Sequence, residues 1–85
     1  MKKDNRVKSV VKSLRLYEEI IKEGKPISLS KLSEKTDINI STAYRGLSTL
    51  VKLDYIQKNS NKLYSPGLKS YKISCVISRN YEQNN

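Results

Sequence analysis

Laid out at about 100° per residue, the segment 40–53 divides into two sectors. Ile40, Ala43, Tyr44, Leu47, Leu50, Val51 and Leu53 share one, and Ser41, Thr42, Arg45, Gly46, Ser48, Thr49 and Lys52 share the other. One side packs and the other offers hydroxyls and cations. Hydroxyls grouped around an arginine suit hydrogen bonding to the base edges and phosphates of a nucleic acid.

Catalytic chemistry has little to draw on. Histidine is absent, which removes the commonest general base and the usual metal ligand. The single cysteine, Cys75, permits neither an intrachain disulfide nor a CxxC zinc pair, and within Ile73-Ser74-Cys75-Val76-Ile77 it reads as a small buried hydrophobe. No glycine-rich phosphate loop is visible, so neither an enzyme nor a metal or cofactor is expected. The charge balance points elsewhere: 17 Lys and Arg oppose 8 Asp and Glu, a formal +9 on 85 residues. That excess favours a polyanion, with nucleic acid ahead of a membrane surface. No apolar run approaches the ~18 residues of a membrane span, and no signal-peptide core follows Met1. A soluble, cytoplasmic protein is expected.

Elements must position the two-faced segment. Residues 1–6 read as a flexible basic arm. Val7, Val10, Val11, Leu14, Tyr17 and Ile21 recur at helical spacing and are taken as the core face of a first helix, stopped by Gly24 and Pro26. Leu16 and Ile20 lie on roughly the opposite side, which suggests a dimer contact. Ile27 is extended, Ser28 can cap a helix from Leu29 to about Thr36, and Asp37-Ile38 forms a tight turn. Asn39 can cap the next helix, which runs to about Leu53. Tyr55–Lys58, a polar tip and Lys62–Ser65 read as a hairpin closed by Pro66-Gly67. From Leu68 the signal is mixed between helix and strand, with helix favoured, and 82–85 look frayed. This order is that of a mainly α (α+β) winged helix-turn-helix domain over 7–67: a three-helix core, a two-stranded wing and a C-terminal helix.

The residues also resemble a family. Val11–Leu16, Ile27–Ser33, Ser41–Leu50 and Tyr64–Gly67 are similar to the N-terminal DNA-binding domain of the isocitrate-lyase-regulator (IclR) family of transcription factors, and Ser41-Thr42-x-x-Arg45-x-Leu47-x-Thr49-Leu50 is the most specific part. Three departures stand out. The family usually has glycine where this chain has Asp37 and Asp54, and aspartate tolerates left-handed backbone better than most residues. Gly46 replaces a larger aliphatic residue, at a cost of roughly 1 kcal/mol in helix propensity against alanine; on the polar side it permits close approach to DNA or is drift. The family also attaches a large effector-binding domain. A stand-alone regulator is favoured over a piece of a longer chain, so no small-molecule effector is expected.

Winged-helix docking places the third helix in the major groove. Ser41, Thr42, Tyr44, Arg45 and Ser48 are then the base-contacting candidates. Arg45 can donate two bonds to guanine, or else bind phosphate or pair on the surface, while Tyr44 is weighed between thymine contact and core packing. Ser28, Ser30, Lys31, Thr49, Lys52, Lys58, Asn61 and Lys62 are the backbone candidates. A homodimer would double affinity and specificity, with Leu16, Ile20, Tyr71, Ile73, Val76 and Ile77 at its interface. The expected function is a sequence-specific, double-stranded DNA-binding transcription regulator, a repressor before an activator. The alternative is a winged-helix module that docks into a protein complex. RNA binding ranks third, because the tyrosines form no stacking platform.

Overall fold

The computed structural model describes residues 6–83. The expected arm falls largely on residues 1–5, and the expected fraying partly on 84–85, which lie outside the described residues. The elements are α1 (Lys8–Glu23), β1 (Ile27–Ser28), α2 (Leu29–Thr36), α3 (Ile40–Lys52), β2 (Ile56–Lys58), β3 (Leu63–Pro66) and α4 (Leu68–Gln83).

Local chemistry sets most boundaries. Gly24 takes φ 74° and ends α1 in the left-handed region, where a side chain would be strained. The Ser28 hydroxyl accepts from the Lys31 amide and starts α2. Asp37 at φ 57° and Asp54 at φ 66° follow α2 and α3, so both aspartates occupy the left-handed geometry expected of glycine. β1, read from the sequence only as an extended step, pairs antiparallel with β3 through Ile27 and Tyr64, and β2 pairs with β3 through Gln57 and Ser65. The sheet order is β1-β3-β2, so the wing is rooted in the domain by a third strand.

Leu16, Ile20, Ile27, Leu32, Ile38, Ala43, Leu47, Ile56 and Tyr64 form the core, drawn from all three leading helices and all three strands. This is a winged helix-turn-helix fold. The segment 68–83, ambiguous in sequence, is helical, and helix satisfies its backbone internally.

The structure reassigns most of the expected core face of α1, of which Tyr17 does pack against the core. Leu16 and Ile20 are each only 1% exposed and sit in the core, whereas Val7, Val10, Leu14 and Ile21 are 46–61% exposed. Neither Leu16 nor Ile20 can form a dimer contact. The reason lies in the partner helix, where small residues of α3 let α1 approach. A Cβ built on Gly46 would stand 3.3 Å from Ser13 Oγ and 3.4 Å from Leu16 Cδ1. Gly46 therefore serves the α1–α3 contact. Two further expectations fail: Cys75 is exposed because α4 projects beyond the core, and Glu82 and Gln83 continue that helix.

Candidate nucleic-acid interface

The turn before α3 is fixed from several sides. The Asp37 and Ile38 amides both donate to the Ser33 carbonyl, and Ser33 Oγ donates to the Ile38 carbonyl at 2.6 Å. Ile38, buried at the tip of the turn, anchors it to the core. Asn39 Oδ1 then accepts from the amides of Ser41 (2.9 Å) and Thr42 (3.4 Å), satisfying two of the donors a helix start leaves open. The same oxygen accepts from Ser41 Oγ at 2.6 Å. With its proton committed, the Ser41 hydroxyl presents lone pairs outward and suits a base-edge amino group.

Ala43 and Leu47 point α3 into the core, so Ser41, Arg45, Ser48 and Lys52 fall on the outward strip. Ser41, Arg45 and Lys52 are exposed, and Ser48 is half-buried. Thr42, Arg45 and Thr49 also border a groove of about 480 Å³ between α1 and α3, with Val10, Leu14, Leu50 and Leu53 as its apolar lining. Thr49 Oγ1 donates to the Arg45 carbonyl, so it too offers acceptors rather than a donor to phosphate. Tyr44 is turned to the opposite flank. Its ring is about half exposed, and the Lys58 Nζ stands 5.3 Å from its centroid and 5.3 Å from that of Tyr64. Lys58 thus ties the recognition helix to the wing through two cation–π contacts, each worth about 0.5–1 kcal/mol at an exposed site.

The wing tip is organised by Asn59, whose Oδ1 accepts from the amides of Asn61 and Leu63. Lys62 adopts φ 63°, an uncommon conformation for lysine, and with Asn61 it is exposed at the tip. At the start of α2, Ser30 and Lys31 are exposed, while Ser28 is half-buried with its hydroxyl already engaged as a cap. A helix-turn-helix, an outward strip of hydroxyls and cations, and a basic wing thus share one molecule.

The model of the IclR helix-turn-helix domain matches residues 9–60. The chain belongs to the IclR helix-turn-helix family. Membership makes it a DNA-binding regulatory domain and not an enzyme. Among solved structures, an IclR family transcriptional regulator from Brucella abortus is similar at 18% identity and a TM-score of 0.81, over 94% of this chain and 31% of that one. HmgR of Pseudomonas aeruginosa is 21% identical with a TM-score of 0.77, covering 82% and 29%. The Thermotoga maritima IclR is 23% identical with a TM-score of 0.75, covering 87% and 30%. The chain therefore spans about a third of the length of these solved structures. A search of curated proteins finds no significant match.

Within this IclR-type domain, three supports escaped the sequence reading. Arg15 Nη2 donates to the Thr36 carbonyl at the end of α2. Glu23 and Lys35 pair at 3.0 Å across α1 and α2; the hydrogen bond from Lys35 lowers the Glu23 carboxyl and raises the Lys35 ammonium from their ordinary values. Most consequential is the root of α4. Ser70 is buried, its Oγ donates to the Tyr55 carbonyl at 2.7 Å, and the Tyr17 hydroxyl bonds to it from α1. The Gly67 and Lys69 amides donate to the Tyr55 and Asp54 carbonyls, each at 2.9 Å. A Cβ at Gly67 would stand 2.6 Å from the Asp54 carbonyl oxygen, so only glycine allows this approach. The glycine after Pro66 was a legible signal, but as a turn rather than a close contact. Beyond this root, Tyr71, Ile73, Val76 and Ile77 are all exposed.

Proposed function

We propose that this domain is a homodimeric, sequence-specific regulator of transcription that acts on double-stranded DNA in the cytoplasm, as a repressor that occludes its site. The N-terminal half of α3 lies in the major groove, with Arg45 on guanine and Ser41, Thr42, Tyr44 and Ser48 beside it. Ser30 and Lys31, Lys52, and the wing residues Asn61 and Lys62 hold the phosphates, with Ser28, Thr49 and Lys58 at the margins of the footprint. Self-association uses Tyr71, Ile73, Val76 and Ile77 of α4. The exposed stripe Val7, Val10 and Leu14 of α1 takes the part expected of Leu16 and Ile20. One observation carries the reading: α3 is capped, buttressed and turned so that Arg45 stands exposed among hydroxyls.

Gel-shift titration against a pool of random duplexes tests it. A salt-dependent, selective shift is expected, and Arg45→Ala should lower discrimination at one base pair by about 1–3 kcal/mol. Absence of any shift at low salt would overturn the proposal. The exposed apolar residues of α4 also suit a different protein as partner, and sedimentation of the isolated chain separates the cases: a monomer at all concentrations favours the docking module.

A further inference from the structure

We infer that the N-terminal half of α1 is a third DNA-contacting surface, gripping backbone phosphates that lie beyond the start of the recognition helix. The inference rests on the DNA-binding reading above and extends its footprint. Arg6, Lys8, Lys12 and Arg15 converge around Val11 on an open cleft of about 200 Å³. Lys8, Lys12 and Arg15 follow i, i+4, i+7 spacing, which lines them along one flank of the helix. All four cations are exposed.

Two contacts join this flank to the reading head. Arg15 donates to the carbonyl of Thr36, three residues before the Asn39 cap, and so holds the cleft beside the helix-turn-helix. Lys12 also borders the groove that Thr42 and Arg45 line. Lys12 is thus shared by the two depressions, across an apolar strip of Val10, Leu14, Leu50 and Leu53, and among the described residues no carboxylate lines either one. The first turn of α1 holds no acidic residue. An edge of closely spaced cations beside a major-groove helix fits the phosphodiester backbone of the same duplex.

The salt dependence of duplex binding tests this. The double variant Lys8→Gln/Lys12→Gln keeps good helix formers on an exposed face. It should reduce the slope of log K against log salt by up to about 1.8, or about 0.9 for each phosphate that is no longer neutralised. It should leave the ratio of selected to random duplex unchanged, and the difference from the parent should vanish on a duplex trimmed to the recognised core. Lys22→Gln/Lys25→Gln, the same charge change at the opposite end of α1, should leave the slope as it was. An unaltered slope in the first variant overturns the inference, and so does an equal reduction in the second, which would mean net charge rather than a local grip. Failure of the parent chain to bind any duplex removes the DNA-binding reading itself, a result distinct from both.

Discussion

α3 and α4 are built from similar residues, yet the molecule treats them differently. α3 buries Ala43 and Leu47, is capped by Asn39, is bound to the wing through Tyr44 and Lys58, and is closed by the left-handed Asp54. α4 buries only Ser70 and is held at its first turn, after which its apolar side chains face outward. Composition does not decide which helix becomes rigid; the spread of independent anchors along its length does. In the reading proposed above, such over-determination suits α3, since a base contact demands fixed geometry. The spare apolar surface of α4 contributes nothing to the core and is available to a partner.

The contrast breaks most visibly in the core. Leu47→Ala should destabilise the domain by about 3 kcal/mol in urea titration, the usual range for a fully buried leucine being about 2–5 kcal/mol. Ile77→Ala should leave the unfolding of the monomer unchanged and alter only the concentration dependence of self-association; a comparable drop in monomer stability would erase the distinction. Next comes the root of α4. Gly67→Ala forces a side chain against the Asp54 carbonyl and should cost about 2 kcal/mol, with hydrogen-exchange protection disappearing first in α4 while α3 stays protected. Asn39→Ala removes the cap of α3 and should cost about 1 kcal/mol, weakening duplex binding along with stability. Glu23→Gln, which breaks a pair between α1 and α2 whose lysine is exposed, should shift the thermal midpoint least. Because the folded state lowers the Glu23 carboxyl, its stabilisation is present above the ordinary carboxylate range and fades as pH falls through the lowered value. Parent and Glu23→Gln midpoints should therefore converge in acid.

Features that depend on a few neighbouring residues were legible. Ser28 and Asn39 as caps, Asp37 as a turn, and the polar tip and Pro66-Gly67 close of the wing each follow from side-chain chemistry acting within about four positions. The face of α1 was not, because both of its stripes are apolar. The choice between them depends on which one meets the small residues of α3, a fact about another helix. Gly46 was misplaced for the same reason: a wheel puts it on the polar side, while the crossing of α1 brings Leu16 over it. At the interface, Arg45 could be singled out because its neighbours on the outer face are hydroxyls. Lys58 looked like any wing lysine, since its contact with Tyr44 joins the wing to another element and only Tyr64 is its neighbour across the hairpin.

The hold on Ser70 and Gly67 has a mechanical meaning. Sixteen residues at about 1.5 Å each make α4 a lever roughly 24 Å long, pivoted at its first turn. A tilt of about 10° at that pivot carries the far end some 4 Å, more than the ~3.4 Å between successive base pairs. In the paired arrangement proposed above, slack in the hydrogen bonds that hold this root would let each α3 slide by a full base step. In that arrangement Ser70 and Gly67 would set the tolerance with which two half-sites are spaced.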